Sequence, residues 1–308
     1  MNSLSDLTVI IVTYKTNYEI LKNCISSIDK NVKIKIVENS LDFKDKNFFL
    51  NNYSNITIDC TGKNLGYGEG NNYGANLINT DYALILSPDT ICHRSFFENI
   101  KFYLNKDLDF SVIGSSYMDD DPSNMSYGFF EENKNKIYNN FKGFYFENKF
   151  KSLKKVDWVT GCSMLINLSK FKDKKIFDEN FFLYFEEFNL CKKVNMKGEN
   201  VFSSKNLLIH HLGYKGSFAA NPELKLEAEK LREWHWMWSM FYFYKNNYGY
   251  LFALKKTFGK FFKSFIKMIY FSITFNKVLK NKYKSKFFGL LNSMIGKKSW
   301  YRVDARFQ

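Results

Sequence analysis

Several common sequence signatures are missing from this 308-residue chain, and each absence excludes a class of protein. Its five cysteines are odd in number and form no C-x-x-C pair, which argues against a disulfide scaffold and against a zinc site. No apolar run reaches the roughly 18 residues of a membrane-spanning helix, because Lys263 and Lys267 interrupt the best one. The N-terminal segment lacks a basic region and a small-residue cleavage site, so we expect a strand there rather than a signal peptide.

The motifs of several well-known ligand sites are missing as well. The glycine segment 64–74 (NLGYGEGNNYG) lacks the third glycine of G-x-G-x-x-G and does not follow the first strand, which excludes a Rossmann dinucleotide site. The chain contains no G-x-x-x-x-G-K-[ST] phosphate loop and no H-E-x-x-H zinc-protease motif. Glycines at this density still let the backbone approach a ligand closely.

Acidic residues are nearly absent from the last 58 residues. Residues 251–308 hold 14 basic residues and one acid, so this segment carries +13 of the total formal charge of +14. The first 250 residues carry +1 and contain no nucleic-acid-binding motif, so we expect no nucleic-acid partner. Between residues 254 and 269, apolar side chains and lysines fall on opposite faces of a predicted helix. Such a helix either lies in an anionic membrane interface or docks on the protein itself.

The composition is that of a folded protein, with 45% hydrophobic and 19% aromatic residues. Short β-rich runs alternate with helical patterns in the first half, and they predict strands at 7–12, 33–37, 55–59 and 82–86. This alternation predicts an α/β fold with a doubly wound, mostly parallel sheet, in which ligands bind at the carboxyl ends of the strands. Helices are predicted at 186–197, ended by Gly198, and from Asn221 to about 245. On the second of these helices, Trp234, Trp238 and Phe241 share a face, which favours core packing over an acceptor-binding role.

Three places carry candidate chemical groups. Asp89 follows the strand 82–86, where a carboxylate can hold a divalent cation beside a diphosphate, although Pro-Asp after a strand is also a common turn. Glu186 and Glu187 open a helix, where acids favour the helix dipole whatever their function and one of them can act as a general base. His210 and His211 end a strand-like run, so at most one of them faces a site.

Seven segments, in order, resemble the family-2 glycosyltransferases, especially the bacterial rhamnosyltransferase-like branch. They are Val9–Tyr14, Ile36–Ser40, Asn64–Gly74, Leu86–Thr90, Val156–Leu165, Phe177–Cys191, and His211–Gly213 with Ser217. The resemblance covers most of the chain. It implies a GT-A fold with a Rossmann-like sheet, a nucleotide-diphosphate sugar donor, a Mg²⁺ or Mn²⁺ ion, and inversion at the anomeric carbon.

The resemblance also implies roles for individual residues. The nucleoside and donor pocket would be lined by Thr13, Tyr14, Glu38, Asn39, Gly66, Gly70, Asn72, Trp158 and Gly161. Asp89 would bind the metal, with His211 as a further metal or diphosphate contact. Glu187 would be the base that deprotonates the acceptor hydroxyl, with Glu186 as the alternative. The chain departs from the family pattern at three places, with Glu38 for Asp, Ser87 for Asn and Glu187 for Asp.

We therefore expect a glycosyltransferase domain at 1–245, with a nucleotide-sugar half to about 115 and an acceptor half from about 116, followed by a basic helical tail at 246–308. The expected reaction is inverting, metal-dependent transfer of a sugar such as rhamnose to a membrane-associated glycan or lipid-linked oligosaccharide acceptor. Such a reaction belongs to cell-surface polysaccharide synthesis, in the cytoplasm at the inner face of the plasma membrane. The alternative hypothesis is a non-catalytic GT-A scaffold that binds a nucleotide sugar or partners at the membrane.

Overall fold

The computed structural model describes residues 4–104, 108–118, 126–133, 152–213 and 225–302. The chain divides into two compact units. The first comprises Met1–Leu65, Glu69–Phe177 and Glu187–Ser217, and the second comprises Gly66–Gly68, Asp178–Glu186 and Phe218–Gln308. The expected domain boundary at residue 245 stays a prediction, because compactness does not by itself define domains that fold independently.

The strands in the described residues are β1 (Leu7–Thr13), β2 (Lys33–Glu38), β3 (Ile56–Cys60), β4 (Tyr82–Leu86), β5 (Thr90–Cys92), β6 (Val112–Tyr117), β7 (Tyr127–Gly128), β8 (Leu153–Lys155), β9 (Trp158–Val159), β10 (Ser163–Asn167) and β11 (Val201–His211). The helices are α1 (Tyr18–Ser26), α2 (Lys46–Asn52), α3 (Tyr67–Asn76), α4 (Phe96–Tyr103), α5 (Glu186–Met196), α6 (Lys225–Tyr248), α7 (Tyr250–Ile273) and α8 (Lys277–Met294). Short 3₁₀ turns lie at Leu4–Asp6, Leu168–Lys170 and Lys172–Lys174.

One mixed sheet organises the first unit. Nine strands of the described ranges form it, in the order β3-β2-β1-β4-β10-β6-β11-β5, with β8 beside β11. Strands β1 to β4 are parallel, and the carboxyl end of β1 pairs with that of β2 through Thr13 and Glu38. The predicted α/β sheet is therefore confirmed. Antiparallel β10, whose Ser163 pairs with Leu86, was not recognised as a separate strand because it lies inside one apolar block, 156–166.

Helices cover both faces of the parallel strands, and a glycine allows one of these helices to approach the sheet closely. On one face, Val9 and Ile11 of β1 belong to a core that includes Leu21 and Ile25 of α1. On the other face, a Cβ at Gly74 of α3 would lie within 3.0 Å of Ile10 and Val37 side-chain atoms. The glycine-rich segment is thus in large part a helix that lies against the sheet, where its lack of side chains permits the close approach.

Helix α5 begins at Glu186, as predicted, and the chain leaves it at Gly198. The glycine has a φ of 77°, and backbone bonds from Gly198 to Asn195 and from Glu199 to Val194 close the last turn. This is the glycine stop that the sequence predicts. The predicted helix start at Asn221 and Pro222, and Ser217, lie outside the described residues.

In the second unit, α6, α7 and α8 pack against one another. Trp234, Trp238 and Phe241 are buried, so the predicted core role of this face of α6 is confirmed. A Cβ at Gly289 of α8 would overlap the backbone carbonyl of Trp234, so this glycine lets the two helices approach closely. None of the described helices is long and apolar enough to cross a bilayer.

Candidate active site

The carboxyl ends of β1 and β2 are tied together by Glu38. Its side chain is fully buried, and it accepts hydrogen bonds from the Thr13 hydroxyl (2.6 Å), the Lys15 backbone N–H (3.1 Å) and the Ser40 hydroxyl (2.7 Å). Lys15 has a φ of 50°, a left-handed conformation that costs a non-glycine residue free energy. The Glu38 carboxylate therefore holds the β1 turn in shape, and a direct contact of this residue with a nucleoside stays a prediction.

Tyr14 and Asn39, two further residues of the predicted donor pocket, directly follow the carboxyl ends of β1 and β2. The Tyr14 hydroxyl is hydrogen-bonded to the side chain of Asn64, and burial, the largest cause, raises its pKa. Asn39 is buried, and its backbone N–H donates to the Thr13 carbonyl over 2.8 Å. A Cβ at Gly70 would lie 3.1 Å from Nδ2 of Asn39, so this glycine leaves room for the amide.

Two other residues of the predicted donor pocket make contacts within the protein. Buried Asn72 accepts hydrogen bonds from the backbone of Ile176 and Phe177 and donates to the Phe177 carbonyl over 3.0 Å. It therefore fixes the backbone at the start of the Phe177–Cys191 block. In the second unit, Gly66 has a φ of 83°, and a Cβ there would overlap the carbonyl of Phe182. Donor contacts by these two residues stay predictions.

Asp89 and His211 lie close together at the edge where β4 ends. Oδ1 of Asp89 is 3.4 Å from Nε2 of His211, because β11 pairs with β5 and places His211 opposite Thr90. Asp89 is buried, whereas the His211 side chain is 28% exposed. The ring of Tyr117 stacks parallel to that of His211, with centroids 6.1 Å apart. The two residues predicted to bind a metal are therefore neighbours in the fold, and their binding of a metal stays a prediction.

The donor set at Asp89 and His211 fits a divalent cation. A carboxylate oxygen and an imidazole nitrogen are both ligands that Mn²⁺ accepts, and the carboxylate also suits Mg²⁺. Across the described ranges, no group of three His, Cys, Asp or Glu residues is arranged to hold a metal. An ion at this place would therefore need further ligands from a diphosphate and water.

Glu187 opens α5 beside Gly161. A Cβ at Gly161 would lie 3.6 Å from the Cβ of Glu187, in ordinary van der Waals contact. Burial raises the pKa of the Glu187 carboxyl to about 7, against hydrogen bonds from the backbone N–H groups of Glu187 and Phe188, which lower it. Its Oε2 atom is buried and has no hydrogen-bond partner in the described part of the chain. This carboxylate can therefore take up a proton near neutral pH.

The remaining predicted site residues are Glu186 and Trp158. Glu186 is 5% exposed and belongs with the second compact unit, whereas Glu187 belongs with the first. Trp158 packs against Phe188, with ring centroids 4.8 Å apart, and its indole fills the space that a side chain at Gly128 would need.

Neither Tyr117 nor Asp157 was predicted from the sequence as a candidate site residue. The ring of Tyr117 stacks on that of His211, and burial, together with the nearby Cys162 and Glu187, raises the pKa of Tyr117. Asp157 is buried and accepts hydrogen bonds from the Phe130 backbone (2.7 Å) and from Asn133 (3.0 Å). Tyr117 is the last residue of β6, so its position at the carboxyl end of a strand was the available signal.

Comparison with known proteins gives two sequence relatives, both of which are named as sugar transferases. A hexosyltransferase of low-salt glycan biosynthesis from Haloferax volcanii, Agl10, is 26% identical over 206 residues, which is 64% of this chain and 64% of that protein. The Escherichia coli rhamnosyltransferase WbbL is 29% identical over 150 residues, 43% of this chain and 55% of that protein. The chain thus aligns with less than two thirds of the length of each relative. No protein-family model matches it.

Solved structures share the fold at low sequence identity. A Pyrobaculum calidifontis mannosyltransferase, PcManGT, solved with GDP-mannose and Mn²⁺, matches with a TM-score of 0.54 and 10% identity over 95% of this chain and 88% of that one. GalNAc-T7, solved with UDP, GalNAc and Mn²⁺, gives 0.51 and 10% over 81% and 56%. The solved structures show that the chain has the GT-A fold, and the two sequence relatives agree with its resemblance to the family-2, rhamnosyltransferase-like glycosyltransferases.

Proposed function

We propose that the protein transfers a sugar from a nucleotide-diphosphate donor to a hydroxyl of a glycan acceptor, with inversion at the anomeric carbon. The observation that carries this proposal is the Glu187 carboxylate. Its pKa is raised to about 7, and its buried Oε2 has no partner in the described residues. Such an oxygen can accept a proton from a substrate hydroxyl without first breaking a hydrogen bond of its own.

The reaction is a single displacement. The acceptor oxygen forms a bond to the anomeric carbon while its proton passes to Oε2 of Glu187. The bond from the anomeric carbon to the diphosphate breaks, and the diphosphate leaves with the electron pair. Because attack and departure occur on opposite faces of the sugar, the configuration at the anomeric carbon inverts. We assign the role of the base to Glu187 rather than to Glu186.

The donor would bind at the carboxyl ends of β1, β2 and β4. Thr13, Tyr14 and Asn39 are next to one another there, and their turn is held by Glu38. Asp89 and His211 would hold a Mg²⁺ or Mn²⁺ ion, which when bound neutralises charge on the leaving diphosphate. The two solved relatives of this fold carry Mn²⁺, which supports a divalent ion here.

We also propose that the acceptor is membrane-associated, and that α7 binds the surface of an anionic bilayer. Seven apolar side chains on one face of α7 are at least 40% exposed: Leu251, Phe258, Phe262, Phe265, Ile266, Ile269 and Ile273. The opposite face, at Ala253, Thr257 and Ser264, is buried. Lys255, Lys260 and Lys263 are exposed on the same helix. An exposed face of seven apolar side chains beside lysines fits an anionic lipid interface.

The test is metal-dependent donor hydrolysis or transfer across a panel of nucleotide sugars. We expect Glu187→Gln and Asp89→Ala each to lower kcat by at least about a hundredfold. Glu186→Gln is the matched control and should retain most of the activity. Unchanged turnover in both Glu187→Gln and Asp89→Ala would contradict the proposal. Donor binding without turnover by the wild type on every donor and acceptor would instead favour a non-catalytic scaffold.

A further inference from the structure

The second unit contains a cavity that none of the predicted donor-site residues lines. Its volume is about 500 Å³, within the roughly 300–1,000 Å³ range of small-molecule sites. Helices α6 and α8 and the segment that follows α8 form its wall. Three kinds of side chain meet there: the lysines Lys230, Lys284 and Lys297, the aromatic rings of Trp234, Phe288, Trp300 and Tyr301, and the small polar side chains of Asn281, Ser285 and Asn292.

The lysines on α8 differ in whether they form ion pairs. Lys282 and Lys286 both pair with Glu233, at 3.2 and 3.1 Å, so one carboxylate compensates part of their charge. Lys284 lines the cavity and, like Lys297, makes no ion pair with any residue of the described ranges. Lys230 pairs with Glu227 over 2.6 Å. The cavity therefore carries about two uncompensated positive charges, which favours an anionic ligand.

The aromatic part of the wall is held in place before any ligand binds. Trp300 is 56% exposed, yet its Nε1 donates a hydrogen bond to Oδ1 of Asn292 over 3.1 Å. Its ring makes an edge contact with buried Trp234, with centroids 5.7 Å apart. A half-exposed indole of fixed orientation offers a flat apolar surface to the C–H face of a sugar ring, while Asn281 and Ser285 offer hydrogen bonds to hydroxyls.

We propose that this cavity binds a saccharide that carries a phosphate group. Lys284 and Lys297 hold the phosphate, and Trp300 stacks on the sugar. The choice of a sugar rather than another ring rests on the proposed function, which brings glycans to this protein. The source of the phosphate is either a lipid-linked glycan or a free sugar phosphate.

The experiment is calorimetric titration of the full chain with four compounds, namely glucose 1-phosphate, glucose, inorganic phosphate and uridine monophosphate, in EDTA to suppress binding that needs a metal. We expect glucose 1-phosphate to bind at least about tenfold more tightly than each of the others. Lys284→Ala and Trp300→Ala should each weaken it at least about fivefold. The matched controls are Lys298→Ala and Trp236→Ala, which remove an exposed lysine and a 43% exposed tryptophan that do not line the cavity.

Three results would overturn the proposal: no binding of glucose 1-phosphate to the wild type, equal affinity for phosphate or uridine monophosphate, or unchanged affinity in both cavity variants. Persistence of binding in Asp89→Ala is expected, and its loss there would assign the ligand to the donor site instead. If the wild type transfers no sugar yet binds glucose 1-phosphate through Lys284 and Trp300, the proposed function fails and the cavity proposal stands. A phosphorylated lipid-linked sugar in detergent, compared with glucose 1-phosphate, identifies the source of the phosphate by the tighter binder.

Discussion

At the start of α5, two opposing effects act on the carboxylate of Glu187. Burial favours its neutral form, whereas backbone N–H groups of the first helical turn favour the anion. Burial is the larger effect, and the pKa rises to about 7. The departure from the family pattern at this residue, a glutamate where an aspartate is usual, therefore keeps a group that can act as a base near neutral pH.

This raised pKa predicts how stability depends on pH. The folded state holds the Glu187 proton more tightly than the unfolded state, whose carboxyl titrates near 4.5. The wild type therefore loses unfolding free energy as pH rises from about 4.5 to about 7, and the cost remains above that pH. Glu187→Gln removes the titration, so its stability relative to wild type should increase by about 1 kcal/mol or more between about pH 5 and about pH 8. Urea unfolding at both pH values measures this, and a pH-independent difference would contradict it.

Substitution of Glu38 is expected to destabilise the protein, in contrast to that of Glu187, because the buried Glu38 side chain accepts several hydrogen bonds. Thr13, Lys15 and Ser40 all donate to it, so Glu38→Gln replaces one acceptor oxygen by a donor that faces other donors. We expect a loss of about 2 kcal/mol in unfolding free energy, measured by urea denaturation. The matched control is Glu98→Gln, whose exposed carboxylate pairs with Lys101 at the surface and should cost less than about 0.5 kcal/mol. An equal loss of unfolding free energy in Glu38→Gln and Glu98→Gln would contradict the role of Glu38 in holding the β1 turn.

At the scale of elements, apolar runs and turn residues predicted most of the first half. The strands at 7–12, 33–37, 55–59 and 82–86 each coincide with a strand to within one or two residues, because short runs rich in apolar and β-branched residues are typical of strands. The glycine segment was harder to interpret. Its glycines are compatible with a loop at the ligand or a helix close to the sheet, and only the contacts of Gly74 with Ile10 and Val37 distinguish the two.

Two helical glycines provide an element-scale prediction. A Cβ at Gly289 would overlap the Trp234 carbonyl, so Gly289→Ala must push α6 and α8 apart and should cost about 1–3 kcal/mol. At Gly259, within α7, an alanine methyl would meet no neighbouring atom of the described residues within 4 Å. Gly259→Ala should therefore stabilise the protein by about 0.5–1 kcal/mol through its higher helix propensity. Thermal unfolding of both variants gives the signs. Destabilisation by both, or by neither, would contradict the packing argument.

At the scale of the whole molecule, +13 of the formal charge of +14 lies in the last 58 residues. The amphipathic pattern in α7 left docking and membrane binding as alternatives. One face of the helix docks on the protein, and membrane binding stays a prediction. Leu254 and Phe261 pack on the core formed by α6 and α8, whereas Phe258, Phe265 and Ile269 remain exposed. The helix is thus anchored by one face and presents another to the surroundings.

The exposed face predicts binding to anionic vesicles. The full chain should bind phosphatidylglycerol-containing vesicles at least about tenfold more tightly than phosphatidylcholine vesicles, and high salt should weaken the binding. Replacing Phe262 and Ile266 by serine should reduce it by roughly tenfold or more, because two apolar side chains no longer enter the interface. Leu41→Ser is the control, since Leu41 is 82% exposed outside the tail. Co-sedimentation measures these affinities, and equal binding to both lipid mixtures would exclude the electrostatic part of the proposal.

The sequence by itself determined the α/β class, the strands that carry Thr13, Glu38 and Asp89 to their carboxyl ends, the helix that begins at Glu186, and the separation of the tail's charge from the body. These features are local, because they depend on apolar periodicity, turn residues and position along the chain. Only the tertiary structure decided that His211 meets Asp89, that Tyr117 lies beside them, and that Glu38 and Asn72 brace the backbone. Apart from the bond between Ser40 and Glu38, those contacts join residues from 23 to more than 100 positions apart. Their geometry depends on strand pairing and burial that no local pattern records.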